Sequence, residues 1–224
     1  MTEFDNCIKN YRQNLDKSLS LSGETSNFFA EYKAKKLLGW LPNLYNKKIN
    51  ILDFGCGDGT MASYVSKLFP QAKIKGIDIS QESIYCAKKK FPTINFYCTE
   101  NLNEKNSYDL IYSAGVFHHI EFKNHKNILK KIFNNLKING YFVLFELNPY
   151  NILTRRTFKK CPIDKNATML SPKYSNDILL KFGKISTKYY FFFPAFLKVI
   201  RPIEKYLTKI PIGALYATIV QKVK

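Results

Sequence analysis

Apolar runs of strand length alternate with stretches of helical periodicity through most of this chain of 224 residues. Seven runs, at about 48–54, 73–78, 94–98, 108–113, 140–147, 185–193 and 213–222, predict strands. Helices are predicted at about 59–69, 80–90, 123–138 and 172–182, and Phe29, Tyr32, Leu37 and Trp40 recur at helical spacing from Phe28 to Trp40. In the 123–138 helix, Ile128, Leu129, Ile132, Phe133 and Leu136 form one stripe while Lys130, Lys131 and Lys137 lie off it, so it packs on a sheet face. Right-handed crossovers then give an α/β fold with a doubly wound, Rossmann-like sheet, whose ligand crevice lies at the carboxyl ends of the strands. Residues 1–22 are polar and are expected to be loosely held.

A chain of this length that is 46% apolar can bury one substantial core, which predicts a single domain. The cysteines Cys7, Cys56, Cys86, Cys98 and Cys161 form no CxxC pair, and His118, His119 and His125 fall in no zinc-finger spacing; neither a disulfide framework nor a metal is expected. The N-terminus lacks the basic and apolar regions of a signal peptide, and the longest apolar stretch, Tyr189 to Leu197, is far below the ~20 residues of a membrane span. A cytoplasmic location is expected.

The most specific signal is Ile51-Leu52-Asp53-Phe54-Gly55-Cys56-Gly57-Asp58-Gly59, an apolar strand running into alternate glycines that open a helix. Glycine suits a sharp turn that must approach a ligand closely, since a Cβ would collide with it. The spacing is GxGxG rather than the GxGxxG of dinucleotide sites, and Asp53 precedes the first glycine by two positions. A strand-end carboxylate suits the ammonium of an amino-acid tail beside a positive sulfonium, where a pyrophosphate would want bare N–H groups. A second acid, Asp78, ends the strand Lys73-Ile74-Lys75-Gly76-Ile77 and could accept from two ribose hydroxyls.

On these residues, and on Ile94–Glu100, Tyr108–Ile120 and Leu136–Glu146 following in order, the chain resembles the class I S-adenosylmethionine-dependent methyltransferases. The resemblance implies a seven-stranded sheet, S-adenosyl-L-methionine as cofactor, a lid over 1–45, a cofactor-binding core over 46–150 and a substrate-side part over 151–224. It assigns the cofactor to Asp53, Gly55, Cys56 and Gly57 at the glycine turn, and to Asp78 and Ile79 at the ribose. Glu100 would read the adenine, with Ser113 and Tyr32 completing the set. The segment Glu146–Arg156, with Cys161-Pro162, Phe193-Pro194 and Ile210–Gly213, is similar to a bacterial group of small methyltransferases associated with surface-glycan or lipid-linked saccharide synthesis. That likeness implies methylation of O or N on a small or lipid-linked acceptor, a saccharide foremost. The alternatives are a lipophilic quinone-like acceptor, RNA, or a non-catalytic cofactor-binding subunit.

His118 and His119 follow the fourth strand, and an imidazole there can take a hydroxyl proton. Adjacent residues on an extended segment point oppositely, so one of them, His119 by preference, is expected to face the acceptor as general base. Arg155 and Arg156 could bind an acceptor phosphate or carboxylate, with Glu146 and Tyr189 as further substrate-side candidates.

Charge bears on the partner. Residues 151–224 hold 15 Lys and Arg against 3 Asp and Glu, which is +12 of the total +18. From Ala195 to Ile210, Phe196, Val199, Ile200, Ile203, Tyr206, Leu207 and Ile210 form an apolar stripe opposite Lys198, Arg201, Lys205 and Lys209, and Pro202 is expected to split the segment into two short helices. This helical insertion between the last two strands reads as a contact with an anionic membrane surface, as a lid, or as a packed helix with a solvated basic face. Nucleic acid is disfavoured, because the aromatics do not interleave with basic residues.

Overall fold

A computed structural model describes residues 11–99 and 102–223. Its centre is one seven-stranded sheet: β1 (Asn50–Phe54), β2 (Lys73–Asp78), β3 (Asn95–Cys98), β4 (Tyr108–Ala114), β5 (Leu136–Leu147), β6 (Gly183–Tyr190) and β7 (Leu215–Lys222). The order is β3-β2-β1-β4-β5-β7-β6. The first five strands are parallel, and β7 enters antiparallel between β5 and β6. Reversal of the strand order at β1 and β4 opens a crevice at their carboxyl ends, the usual ligand position in such sheets.

The helices are α1 (Tyr11–Ser18), α2 (Ser26–Trp40), α3 (Thr60–Leu68), α4 (Gln81–Lys90), α5 (Phe122–Asn135), α6 (Ile152–Lys160), α7 (Pro172–Leu179) and the short α8 (Glu204–Leu207). Several start where a polar side chain accepts an otherwise unpaired backbone N–H: Thr25 for α2, Ser80 for α4, Asn151 for α6 and Ser171 for α7. Strand alternation divides the core into two layers. Ile51 of β1 joins Ala34, Leu37, Ala62 and Val65 beneath α2 and α3, while Leu52 and Phe54 join Leu129, Ile132 and Phe133 beneath α5. Burial of side chains such as these stabilises by roughly 1.5–3 kcal/mol each, and α2, with Leu37 and Ala34 wholly buried, is integral to the first layer.

Several expectations need correction. Residues 11–22 form α1 and a 3-10 turn packed on the molecule, held in part by the Asp16 carboxylate accepting from the Ser26 N–H at 2.6 Å. Helix α5 stops at Asn135 and β5 begins at Leu136, because Leu136 is already extended and the left-handed Asn139 (φ 63°) carries the strand into Gly140. Strand β6 ends at Tyr190, since Phe191 is left-handed (φ 58°) and the next two N–H groups turn to Glu204. Helix α6 was not predicted. Pro202 does not divide the insertion: residues 195–203 form 3-10 turns that run into α8, and the break falls at Leu197.

Candidate active site

The glycine turn after β1 faces the crevice with three residues in the left-handed region, a conformation that favours glycine. At Gly55 (φ 76°) a Cβ would stand 2.4 Å from Val116 Cγ2, whereas at Gly57 (φ 52°) it would project into space with nothing within 4 Å. The turn is pinned to β2, since the Gly55 and Cys56 N–H groups both donate to the Ile77 carbonyl at 2.8 and 2.9 Å. Gly57 N–H donates to Asp78 Oδ2 at 2.8 Å and Ser80 N–H to Oδ1 at 2.9 Å, so the Asp78 carboxylate is fixed at the crevice edge.

Two adjoining cavities open here. The larger, about 850 Å³, is lined by Asp78, Ile79, Thr99, Val116 and His119; the smaller, about 250 Å³, by Asp53, Lys33, Cys56, Phe29, Leu153 and Phe191 among others. Arg12, Gly55, Gly57, Asp58 and Ala114 line both. Asp53 is buried and accepts from Tyr112 Oη at 2.9 Å. Burial pushes its carboxyl up to about 7, against the Tyr112 hydrogen bond and with the help of Asp78. Lys33, half-buried on α2, is brought down to about 8 by desolvation, which outweighs the attraction of Glu146 and Asp53. Opposite charges at Asp53 and Lys33 in one cavity suit the two ends of an amino-acid zwitterion, and the open face of Gly57 leaves room for its backbone. The larger cavity, with a fixed carboxylate at a strand end, suits a nucleoside.

Beside the turn, Asp58 collects cations. Arg12 of α1 reaches its two oxygens at 3.0 and 2.6 Å, Lys90 at 2.8 Å and Thr60 Oγ1 at 2.8 Å. Desolvation works to raise this carboxyl, but the Arg12, Lys90 and Thr60 contacts hold it well below the usual carboxylate range. Lys90, in the last turn of α4, thereby joins the edge of the site.

Residues 51–140 match a family described as a methyltransferase domain. This segment carries a methyltransferase domain, in keeping with the resemblance to the class I S-adenosylmethionine-dependent methyltransferases. Among curated relatives of this methyltransferase is the malonyl-[acyl-carrier protein] O-methyltransferase of Bacillus cereus, 31% identical over 166 residues, which are 69% of this chain and 61% of that protein. The cyclopropane-fatty-acyl-phospholipid synthase of Escherichia coli is 31% identical over 100 residues, 43% of this chain and 25% of that one. The chain thus spans about three fifths or less of the length of these relatives. Among solved structures, a plantazolicin methyltransferase in complex with S-adenosylhomocysteine superposes with a TM-score of 0.65 at 21% identity, covering 99% of this chain and all of that one. The two cavities, one suited to an amino-acid zwitterion and one to a nucleoside, fit S-adenosyl-L-methionine, the cofactor expected from the glycine turn.

Not every residue expected at the methyltransferase's site stands there. Asp53, Gly55, Cys56 and Gly57 line the smaller cavity and Asp78 and Ile79 the larger. Glu100 lies outside the described residues, and Thr99 before it lines the larger cavity. Ser113 is buried with its hydroxyl unpartnered and lines neither cavity. Tyr32 is also off both: it stacks between Phe28 and Tyr190, with ring centroids 5.5 and 6.0 Å away, and donates to Glu204.

On the substrate side, Arg155 and Arg156 are exposed on α6 and reach neither cavity. Tyr189 packs against Tyr216 beside β7. Glu146 is buried behind the histidines, accepting from Phe117 N–H at 3.0 Å and lying 2.6 Å from His118 Nδ1. The two histidines sit on a 3-10 turn (Phe117–His119) rather than an extended segment, so their rings do not diverge; the centroids are 4.3 Å apart. His118 is buried and His119 lines the larger cavity, so neither reaches the smaller one. Desolvation pulls the His118 imidazole down, but Glu146 and Asp164 outweigh it and raise its pKa to about 9.

The basic insertion also departs from expectation. Arg201 turns inward: Nη1 is 2.7 Å from Glu24, Nε donates to the Phe193 carbonyl at 2.9 Å, and the guanidinium lies over the Phe28 and Phe191 rings. The apolar stripe turns outward instead, with Phe196 80%, Val199 85% and Tyr206 75% exposed. Arg12, Lys33 and Asp58 were missed as site residues. Arg12 sits in a stretch expected to be loosely held and Lys33 in a helix where a lysine reads as solvated, while Asp58 lies within the glycine turn but was not singled out there.

Proposed function

We propose that the chain transfers a methyl group to O or N of an acceptor with an apolar, acyl- or lipid-type body, held along the apolar wall and mouth of the smaller cavity beside the cofactor's amino-acid tail, while peripherally docked on an anionic lipid surface. The observation that carries this is the character of that cavity and its rim. Its wall is largely apolar, with Leu15, Leu19, Phe29, Met61, Leu153 and Phe191, which suits a hydrocarbon better than the hydroxyl-rich face of a saccharide. Its edge continues outward into exposed apolar residues: Leu21 and Leu153 at the cavity, Ile152 beside Leu153, and Phe196 and Val199 on the insertion. The pieces adjoin, since Gly23 lies against Ala195 and Asn151 Nδ2 donates to the Ile212 carbonyl at 2.8 Å.

Exposed apolar side chains flanked by the exposed Lys198, Lys205 and Lys209 complement a bilayer with anionic headgroups. The relatives named for a carrier-bound acyl substrate and for a fatty-acyl phospholipid support an acyl-type acceptor. S-adenosyl-L-methionine supplies an electrophilic methyl. The protein's part is alignment: Asp53 and Lys33 fix the tail charges, Asp78 holds the ribose side, and the apolar wall excludes water and orients the acceptor.

Vesicle co-sedimentation tests the docking, and radiolabelled methyl transfer to acyl-chain or lipid acceptors presented in those vesicles tests the acceptor. Binding should require acidic lipid, weaken with salt, and fall sharply for Lys198→Gln/Lys205→Gln/Lys209→Gln and for Phe196→Ser/Val199→Ser. Indifference to acidic vesicles at low salt, together with transfer only to water-soluble acceptors, would refute the reading.

A further inference from the structure

His118, His119 and Asp164 each offer one ligand atom, and all three atoms lie within 4.8 Å of one another. The 3-10 turn after β4 puts both rings on the same side, and a second 3-10 turn (Pro162–Asp164) delivers the carboxylate from the C-terminal part of the chain. Asp164 Oδ1 stands 3.5 Å from His118 Nε2 and 3.4 Å from His119 Nε2. A charge-assisted N–H···O contact closes to about 2.7–2.9 Å, so these separations are long for direct hydrogen bonds. They match the spacing of two ligand atoms on one tetrahedral metal, about 3.3–3.4 Å for bonds of about 2.0–2.1 Å.

A second observation points the same way. His118 Nδ1 is 2.6 Å from Glu146, whose other oxygen is tied down by Phe117 N–H. A carboxylate on the far ring nitrogen is the usual outer support of a metal-bound histidine, since it fixes the tautomer that leaves Nε2 as the donor. With Nδ1 protonated toward Glu146, Nε2 is the atom facing the Asp164 carboxylate, and it must carry either a proton or a metal ion. His119 and Ile163 line the larger cavity, which gives the cluster an open side.

We propose that His118, His119 and Asp164 bind one divalent first-row transition ion of the Zn²⁺ type, with Glu146 supporting His118 and a fourth position open toward the cofactor-side cavity. Two imidazoles and one carboxylate suit such an ion better than Mg²⁺ or Ca²⁺, which take oxygen ligands. In the metal-free chain a proton on His118 supplies the positive charge; the metal displaces it, as binding to neutral imidazole requires. An ion there would fasten the turn after β4 to the 162–164 turn and present a Lewis acid to an oxygen in the cavity. The site rests on its own geometry and is independent of the acceptor reading above.

The test is metal uptake by the whole chain after treatment with chelator. Titration with Co²⁺ should produce the visible d–d bands of a four-coordinate N/O site at one equivalent, Zn²⁺ should displace them, and elemental analysis should find one zinc per chain with a raised Tm. Asp164→Asn and His119→Gln, each checked for folding by circular dichroism, should abolish the bands. Glu146→Gln should keep the stoichiometry while weakening affinity about 10–100-fold. Asp109→Asn, at the opposite end of β4, where the carboxylate pairs with Lys137, should change nothing. No Co²⁺ spectrum in the folded wild type, or equal uptake by Asp164→Asn and His119→Gln, would overturn the proposal and leave an imidazolium between two carboxylates.

Discussion

Removal of the Arg12 guanidinium tests whether α1 is fastened to the glycine turn by charge. Arg12→Ala takes two short contacts from Asp58 but leaves it Lys90 and Thr60. The side chains are 26% and 9% exposed, so screening is partial. Hydrogen bonds to charged groups are worth about 1.5–3 kcal/mol, and with two partners remaining the loss should fall at the lower end, about 1.5–2 kcal/mol. For a domain of this size that corresponds to a fall in Tm of about 3–8 °C. A double-mutant cycle with Asp58→Asn isolates the pair and should return a coupling near that loss, well above the 0.2–1 kcal/mol typical of exposed ion pairs.

The pH dependence gives a second check. Because the folded Asp58 carboxyl lies below its unfolded value of about 3.9, its contribution is fully present above that value and is lost as pH falls through the folded one. Wild type and Arg12→Ala should therefore differ at pH 7 and converge in acid. A coupling below about 0.5 kcal/mol, or a gap in Tm that persists unchanged into acid, would show that α1 is held by packing and that the ion pair contributes nothing.

Two other substitutions probe the cofactor side. Asp78→Ala should weaken S-adenosylhomocysteine binding by roughly 1.5–3 kcal/mol in calorimetry, and unchanged affinity would remove the ribose assignment. Lys33→Met should likewise weaken cofactor binding; since the folded Lys33 pKa is about 8, below its unfolded value of about 10.4, wild type should gain stability relative to the variant as pH rises from about 8 towards 10. Parallel Tm profiles across that range would contradict the desolvation of the amine.

Most of the sheet was legible because each strand is a short apolar run and each crossover helix carries its own stripe. The glycine turn was legible because its backbone demands appear directly as residue type. What escaped notice was long-range. Lys33 lies between Tyr32 and Ala34 in a helix, where a lysine reads as a solvated charge, and only the fold turns it toward Asp53. Asp164 could not be paired with the histidines from any local spacing. The insertion shows the limit most clearly: its stripe was evident, yet periodicity cannot say which face meets the protein. Arg201 was drawn inward because Glu24, the Phe193 carbonyl and two aromatic rings await it there.

That inward clasp bears on modularity. Glu24, Phe28 and Tyr32 precede the first strand, whereas Arg201 and Glu204 precede the last, and together they form one aromatic and ionic knot against Tyr190 and Phe191. The segments that precede the first and the last strand are therefore packed on each other at the end of β6. Residues 51–140, the part that matches the methyltransferase domain, could not be excised as a free-standing cofactor binder. Trimming either flank would strip the partner from the other, leaving Arg201 and Glu204, or Glu24 and Tyr32, without the contacts that now hold them.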